Sequence, residues 1–411
     1  MSRGGRWPRG VMVRSGRTSS SLPKDSPPDL PAEAGESGVE WSPMSVREYD
    51  VVFVGGGLAA SLLLKELRKE LPGRVAVVDP SPLPTQPSVH WSYWSHERTP
   101  YDRFAIGAWQ RAKVGDMPPE SIAPYTMSLV RSGDVFADLA ARLESAPVDW
   151  LRTSARSIGS RDDGMYEVST DAGVLRACWV FDSACDIGPA FPTPHRPGAV
   201  LNGTGIRVTS DRPAFDAATA TLFDPLDERS FAYLLPLGPD EALLESATFG
   251  PVAEKTDAAP LLRYLMDRYP GASFVAPHEE SGSIPLGFPP LRTAGPRHVL
   301  LGTKRGLVKP SAGYGIVRIV KESEELARLW REHRPLAPSR RDSRPWALLD
   351  TGFLQLVGKD PRLPLALLGN VMRAVPLARS LGFIDEQLPP RQLASIFLSA
   401  LPIVLQSAVR K

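Results

Sequence analysis

Residues 49–60 read YDVVFVGGGLAA, and this stretch decides the fold. Residues 51–54 are an apolar run rich in β-branched side chains, which predicts a strand buried on both faces of a parallel sheet. Three glycines follow, and leucines then recur at helical spacing as far as Leu67. A second apolar run, residues 75–78, ends at Asp79. The order of strand, glycine turn, helix, strand and acid is the dinucleotide-binding fingerprint.

Each position of this fingerprint has a physical role. Gly55 permits a tight turn, Gly57 lets the backbone approach a pyrophosphate, and the small Ala60 lets the helix pack close to the strand. The helix N-terminus offers N–H groups and a positive dipole end to phosphates, and Asp79 is spaced to bind ribose hydroxyls. The alternative is a glycine turn in an α/β protein that binds nothing. The predicted nucleotide-binding residues of this turn are Gly55, Gly57, Leu58, Ala59, Ala60 and Asp79.

The composition is that of a globular protein. The chain has 411 residues, a length that is enough for two or three domains, and 42% of these residues are hydrophobic. The net charge of +2 and the lack of a basic stripe interleaved with aromatics predict no nucleic-acid partner. Cys178 and Cys185 belong to no C-x-x-C or Cys/His cluster, so we expect packed thiols and no metal site.

Residues 1–45 are rich in Ser, Pro, Gly and Arg and contain few residues able to fill a core. They contain no apolar signal-peptide core, so we expect a cytoplasmic protein with a disordered tail. The alternative is that this tail is an artefact and that translation begins at Met44.

Residues 90–96, HWSYWSH, combine aromatic and polar side chains. This mixture favours a pocket wall over a regular strand, because aromatic faces can pack a flat ligand or face a cation. The alternative is an aromatic anchor beneath a loop. His90 and His96 have no evident acid or metal partner in the sequence. The predicted pocket residues are Trp91, Tyr93, Trp94 and, from a later strand, Tyr233.

The middle of the chain is rich in strand patterns. Residues 166–182 predict a β-meander that ends in the apolar run 180–182 and returns the chain to the first sheet. Four strand patterns in residues 198–250 predict a separate antiparallel sheet, which we interpret as the substrate sheet. An amphipathic helix is expected at residues 261–269.

A second glycine-rich turn, GTKRGLVKPSAGYG, follows the apolar residues 298–301 and precedes a long helix expected to start near Tyr314. It also directs helix N–H groups at an anionic or carbonyl-bearing ligand. Two such turns favour a flavin dinucleotide over a nicotinamide, because the larger cofactor needs contacts at both ends. The predicted contacts are Gly302, Gly306, Pro310, Gly313, Tyr314 and Gly315.

From about residue 339 the sequence is apolar and helical. Residues 393–409 are nearly long enough to span a bilayer, but Ser395, Ser399 and Pro402 interrupt them. We expect helices that cap an apolar cavity and touch a membrane surface, or alternatively ordinary buried helices.

From residue 48 to 410 the chain resembles the flavoprotein lycopene cyclase family. The resemblance rests on six ordered segments beyond the first glycine turn: HWSYWSH, YTMSLVRSGDVF, WVFDSA, FDAATATLFDPLDE with FAYLLPLGPDEALLESATF, SGSIPLG and GTKRGLVKPSAGYG. It implies a Rossmann-type FAD-binding domain with an inserted antiparallel substrate sheet, as in p-hydroxybenzoate hydroxylase, and a helical C-terminal cap. The implied divisions are a tail at 1–45, the FAD-binding domain at 46–197 and 288–335, the substrate sheet at 198–287 and the cap at 336–411.

The chain departs from the family at two positions. Members commonly carry E-E-T or E-D-T at the end of a long strand. Here Glu245 matches the first acid, and Ser246 stands where the second acid is expected. Ala184 replaces the usual arginine after the V-F-D-S segment. The resemblance therefore implies a retained cofactor site and altered catalytic machinery.

The implied chemistry is cyclisation of a linear carotenoid or related polyene without net redox change. Reduced FAD, with NAD(P)H as a reductant, is the implied cofactor. A carboxylic acid in an apolar pocket stays protonated and can start such a reaction, and Glu245 is the candidate. The alternative for Glu245 is a carboxylate bound to a nearby loop. Asp224 and Asp227 are further acid candidates, although turns commonly carry Asp for local hydrogen bonds.

Two other classes of function remain open. A flavin monooxygenase or a prenyl-chain reductase would need hydride from a nicotinamide in proportion to product. A non-catalytic relative would bind flavin or polyene without turnover.

Overall fold

The structure is a computed structural model that describes residues 11–12, 46–81, 83, 86, 88–185, 198–287, 295–336 and 344–409. The predicted tail therefore lies outside the described residues, apart from Val11–Met12, which pairs with Phe274 and Val275. Residues 82, 84, 85 and 87, which follow Asp79, also lie outside the described residues.

The strands in the described ranges are β1 Val11–Met12, β2 Val46–Val54, β3 Val75–Val78, β4 His90–Ser95, β5 Ala105–Trp109, β6 Arg111–Lys113, β7 Glu120–Ser121, β8 Thr126–Arg131, β9 Val148–Leu151, β10 Ala155–Ser160, β11 Tyr166–Thr170, β12 Gly173–Asp182, β13 Ala199–Ser210, β14 Ala220–Pro225, β15 Ser230–Pro236, β16 Glu241–Gly250, β17 Phe274–Leu286 and β18 His298–Leu300. The helices are α1 Leu58–Leu67, α2 Ser132–Leu143, α3 Ala259–Arg268, α4 Ile316–Arg331, α5 Arg344–Lys359, α6 Arg362–Ala374, α7 Leu377–Ile384 and α8 Pro390–Val409. Single turns of 3-10 helix occur at Asp102–Phe104 and Gly302–Arg305.

The first sheet is built around β2, the strand of the opening motif. Its order is β10-β11-β12-β2-β3-β9, and β18 also pairs with β12. Strands β12, β2, β3, β9 and β18 run parallel. Val51 and Phe53 pack into the core shared with α1, α2 and α4, while Val52 and Val54 pack into a second core with residues of the meander. Both faces of β2 are therefore buried, which explains its uninterrupted apolar run.

The predicted meander is confirmed. Strand β11 pairs antiparallel with the first half of β12, and the last three residues of β12 pair with β18. The apolar residues Val180 and Phe181 thus return the chain to the sheet next to the glycine turn.

The second sheet has eight strands in the order β1-β17-β13-β16-β15-β14-β6-β7. The predicted antiparallel strands of residues 198–287 form its centre. Sequence reasoning did not assign β6 and β7 to this sheet, although β6 extends it by pairing with β14. Helix α3 packs into the core on one face, and α5, α6 and α7 contribute to the core on the other face.

The expectation that HWSYWSH avoids regular strand structure is wrong. Residues 90–95 form β4, which pairs antiparallel with β8 in a third sheet of order β4-β8-β5. Aromatic residues suit a strand when both of its faces are covered, and β4 lies between two hydrophobic cores.

The helices expected near the C-terminus are present as α5 to α8. Helix α8 packs on α6 and contains Pro402, and its Phe397 and Leu398 are exposed. Within the described ranges, no helix combines the length and the apolar character needed to cross a membrane.

Candidate functional site

The first glycine turn connects β2 to α1 at the carboxyl edge of the parallel sheet. Gly55 has a positive φ of 89°, and a Cβ there would lie 2.6 Å from the Ser183 Oγ, so the protein itself requires glycine at this position. Gly57 is different, because its φ of −71° suits any residue and an added Cβ would meet no atom within 4 Å. Its open side is the space that a closely approaching ligand backbone or phosphate would use.

The N-terminus of α1 is electrostatically prepared for an anion. The helix has no side-chain cap and no acid in its first turn, so its N–H groups and positive dipole end are available. Leu58 begins the helix, and Ala60 is buried against the sheet. Asp79 lies beside the turn, where its carboxylate accepts the Gly56 N–H at 2.6 Å. These residues fit the pyrophosphate and ribose of a dinucleotide.

The second glycine turn meets the first in space. Gly302 has a φ of 57°, and a Cβ there would lie 2.7 Å from the Ala59 Cβ in the first turn of α1. Gly306 ends the 3-10 turn with a φ of 82°, and Gly313 lies against Leu201 with a φ of 72°. The two motifs are far apart in the sequence, and the structure brings them together.

Helix α4 begins directly after the second turn, close to the predicted start at Tyr314. Gly315 is its N-cap and packs against Val308, and Pro310 is buried within the preceding turn. A small cleft that is open to solvent lies at this helix N-terminus. Its lining includes Trp94, Tyr314 and Arg318. A second helix N-terminus therefore faces an open space beside aromatic side chains.

Glu245 lies in the middle of the second sheet, on the face turned towards β4. The Ser92 hydroxyl donates a hydrogen bond to its Oε2 at 3.0 Å. Burial, and to a smaller degree the nearby Glu280 carboxylate, raises the pKa of Glu245 to about 7, against the opposing effects of Ser92 and His90. Part of its surface remains accessible to solvent.

Two tyrosine hydroxyls accompany this carboxyl group. Tyr233 is paired with Glu245 across adjacent strands, and the negative charge that Glu245 carries when ionised raises the pKa of both Tyr233 and Tyr314 in addition to the effect of their burial. Both oxygens are buried, the two hydroxyls interact with each other, and the Tyr314 hydroxyl also interacts with Ser92. The two phenols and Ser92 therefore form a polar cluster beside the Glu245 carboxyl group.

The side chains of β4 alternate between two environments, which divides the predicted pocket residues. Trp94 faces the second sheet and meets Tyr314 edge to face, with ring centroids 4.0 Å apart. Trp91 instead packs on Phe136 of α2, and the Tyr93 hydroxyl donates to Asp102. The structure therefore brings Trp94, Tyr233 and Tyr314 together around Glu245 and directs the Trp91 and Tyr93 side chains towards the first core.

The profile of the family described as "Lycopene cyclase protein" matches residues 50–410. The chain belongs to the lycopene cyclase family. The resemblance seen in its sequence is thus confirmed. No curated protein matches the sequence closely enough to identify a relative.

Several solved structures share the fold of this lycopene cyclase family member. A flavoprotein/dehydrogenase from Cytophaga hutchinsonii has a TM-score of 0.52 and 11% identity over 88% of this chain and 98% of its own. A geranylgeranyl bacteriochlorophyll reductase-like protein from Thermoplasma acidophilum has a TM-score of 0.51 and 14% identity over 89% and 100%. The halogenase PltM, solved with phloroglucinol and FAD, has a TM-score of 0.51 and 14% identity over 88% and 86%. The mixed α/β fold is therefore similar to that of FAD-dependent oxidoreductases and halogenases.

Sequence reasoning missed two residues near Glu245 in this family member, Phe223 and Glu280. Phe223 is buried between Trp94 and Tyr233, and a bulge in β14 gives it a φ of 50°, which is unusual for a bulky residue. Glu280 accepts hydrogen bonds from the backbone N–H and the imidazole Nδ1 of His90. No local pattern signals these residues, because they meet Glu245 and β4 only through sheet register.

His90, His278 and Glu280 are also the described residues that could hold a metal ion, since their ligand atoms lie within 4.8 Å of one another. The contacts already present are those of hydrogen bonding. The Glu280 Oε2 lies 3.1 Å from both the backbone nitrogen and the Nδ1 of His90. The sequence predicted no metal site, and these three residues come together only in the folded chain.

The other two acid candidates, Asp224 and Asp227, form hydrogen bonds or ion pairs with neighbouring residues. Asp224 is buried, accepts a hydrogen bond from the Tyr264 hydroxyl at 2.7 Å and pairs with Arg268 at 2.5 Å. Asp227 accepts the backbone N–H groups of Arg229 and Ser230, as a turn aspartate does. These partners account for both carboxylates structurally.

Ser246, which stands where the family commonly has its second acid, points away from the Glu245 face. Strand alternation directs it to the other side of the sheet, where its hydroxyl donates to the Thr204 carbonyl at 3.3 Å. Cys178 and Cys185 are both free thiols. Burial raises the pKa of Cys185 to about 12, so it is not an activated nucleophile.

Proposed function

We propose that this chain is an FAD-dependent lycopene-cyclase-like enzyme that cyclises the isoprenoid end of a linear carotenoid or related polyene. The observation that carries the proposal is the Glu245 carboxyl, which lies beside Ser92 and Tyr233 and whose pKa burial raises to about 7, so that a protonated fraction persists near neutral pH. A proton donor of this kind is what acid-initiated cyclisation requires.

The proposed reaction balances without net redox change. The Glu245 carboxyl donates its proton to the less substituted carbon of a terminal double bond, and a tertiary carbocation forms. An internal double bond attacks this cation and closes the ring. The Glu245 carboxylate then removes a ring proton, which restores both the double bond and the protonated acid.

The surroundings of Glu245 suit a cationic intermediate. The aromatic rings of Trp94, Tyr233 and Tyr314 can face positive charge, which an aromatic π-system attracts. Phe223 adds a further ring that packs on Tyr233 at 5.1 Å between centroids. The same apolar residues exclude water, which would otherwise capture the cation.

The residues of the two glycine turns fit FAD as the cofactor. Gly57 and the uncapped N-terminus of α1 would bind its pyrophosphate, and Asp79 would bind ribose hydroxyls. Gly302 and the N-terminus of α4 at Gly315 would provide the contacts at the other end. Bound in its reduced form, FAD would supply negative charge, and NAD(P)H is our proposed reductant.

We further propose a function for each domain of the chain. Residues 46–197 and 288–335 would bind FAD, residues 198–287 would form the substrate sheet of a p-hydroxybenzoate-hydroxylase-like arrangement, and residues 336–411 would cap the cavity. The exposed Phe397 and Leu398 of α8 suit peripheral contact with a membrane surface that holds the polyene.

The test is expression of the chain in a lycopene-accumulating host, followed by pigment analysis. Cyclic carotenoid is expected with the natural sequence, and unchanged linear pigment with Glu245→Gln. Unchanged lycopene, with protein shown to be folded and loaded with reduced FAD, would refute the lycopene assignment. Consumption of NAD(P)H in proportion to product would instead favour a monooxygenase or a prenyl-chain reductase.

A further inference from the structure

Four residues form a straight row across the second sheet. Tyr233 on β15 pairs with Glu245 on β16, Glu245 pairs with Gly205 on β13, and Gly205 pairs with Glu280 on β17. Directly paired residues of antiparallel strands share one face of a sheet. The two glutamates therefore lie on the same face, separated by a single strand.

Gly205 is the gap that lets the second glutamate lean across this row. A Cβ on Gly205 would lie 3.0 Å from the Glu280 Cγ and 3.1 Å from its Oε1. Its backbone is not in the left-handed region, so glycine is needed for space and not for conformation. The Glu280 side chain thus lies over Gly205, on the same face of the sheet as Glu245.

Strand β4 holds both carboxyl groups with alternate residues. The His90 backbone N–H and Nδ1 contact the Glu280 Oε2, both at 3.1 Å. The Ser92 hydroxyl contacts the Glu245 Oε2 at 3.0 Å. Because residues two apart on a strand share a face, one rigid strand fixes the positions of the two acids relative to each other.

We propose that Glu280 is a positioning residue for the proton donor: held over Gly205 by His90, its carboxylate adds to the effect of burial and favours the protonated form of the Glu245 carboxyl on the same face of the sheet. This inference rests on the proposed function, in which the Glu245 carboxyl is the proton donor. Two carboxylates on one face of a sheet repel each other when both are ionised, so negative charge on Glu280 disfavours ionisation of Glu245.

Among the described residues that act on Glu245, Glu280 is the acidic one. Strand β4 contributes Ser92 and His90, which favour the ionised form of Glu245. Strand β15 and the turn before α4 contribute the neutral phenols of Tyr233 and Tyr314. Strand β17 contributes Glu280, with the exposed His278 beside it at 3.5 Å.

The experiment is an infrared pH titration of the purified full-length protein, in which the protonated carboxyl band of Glu245 is isolated by subtracting the Glu245→Gln spectrum. We expect a midpoint near 7 in the natural sequence. Glu280→Gln should lower this midpoint by on the order of one pH unit, because one like charge is removed. Gly205→Ala should lower it too, since its added Cβ displaces Glu280 while leaving both carboxyl groups in the chain.

Glu279→Gln is the matched control, because Glu279 is exposed and is the neighbour of Glu280 on the same strand. It should leave the midpoint unchanged. An unchanged midpoint in Glu280→Gln overturns the positioning role of Glu280 but leaves Glu245 as the proposed proton donor. A natural-sequence midpoint near that of a free glutamate overturns both the positioning role and the proton-donor role. A shift caused by EDTA alone would assign the effect to a bound cation and also overturn the proposal.

Discussion

Replacing Glu245 by glutamine should change the pH dependence of stability in a defined direction. Glutamine preserves the shape and the oxygen that accepts the Ser92 hydrogen bond, but it cannot ionise. In the natural chain, burial raises the pKa of Glu245 from 4.5 to about 7. The folded state therefore holds this proton more tightly than the unfolded state does.

The sign and size follow from this difference. Below about pH 4.5 the carboxyl group is protonated in both states, and its contribution to stability is fully present. As the pH rises towards 7, the unfolded chain ionises while the folded chain does not, and the free energy of unfolding falls by about 1.4 kcal/mol per pH unit. From pH 5 to pH 8 the natural chain should lose about 2.5 kcal/mol relative to Glu245→Gln, an order-of-magnitude value.

Urea unfolding at pH 5 and at pH 8 measures this double difference. Any effect of the substitution that does not depend on pH cancels in the comparison. Glu279→Gln, which alters an exposed carboxylate, should follow the natural chain at both pH values. If the free energies of unfolding of Glu245→Gln and the natural chain differ by the same amount at pH 5 and at pH 8, the pKa of Glu245 is not raised by burial. The proposed proton donor is then refuted as well.

Three further outcomes follow from the contacts described. Gly57→Val should abolish bound flavin absorbance while Gly159→Val, in an exposed strand with equal space around its Cα, should retain it. Asp224→Asn should lower the free energy of unfolding by about 3 kcal/mol, because it leaves the partly buried Arg268 without its closest acid, while pigment conversion per folded molecule stays unchanged. Lys309→Met should cost about 3 kcal/mol in urea unfolding, because Asp350 loses the cation that it shares with Glu386, while Glu386 keeps Arg318; the exposed Lys69→Met should cost less than about 0.5 kcal/mol.

The parts of the fold that sequence could predict are those with a local signal. The apolar run of β2, its glycines and the leucines of α1 lie next to one another in the chain, and each has one strong conformational preference. The meander and the strands of the second sheet were predictable for the same reason. The extension of that sheet by β6 was not, because β6 has three residues and joins β14 only through tertiary pairing.

The aromatic segment shows why a local signal can also mislead. HWSYWSH mixes polar and aromatic residues without the apolar alternation of a half-buried strand. It is nevertheless a strand because its two faces meet two different partners. Trp94 enters the core of the second sheet, and Trp91 packs beside α2. A segment between two cores needs no solvent-facing polar side, so the usual pattern is lost.

The position of Ser246 changes how the departure from the family pattern should be interpreted. An acid at residue 246 would project from the face occupied by Thr204 and Ala232, because it is adjacent to Glu245 in a strand whose side chains alternate. Serine at this position therefore removes no carboxylate from the face that carries Glu245. A second carboxylate on that face is present all the same, as Glu280, which comes from a different strand and is found only by following the register across Gly205. The acid pair of this chain is thus set by sheet pairing and not by adjacency in the sequence, and variants at Glu280 should perturb Glu245 more than variants at its immediate neighbour Ser246.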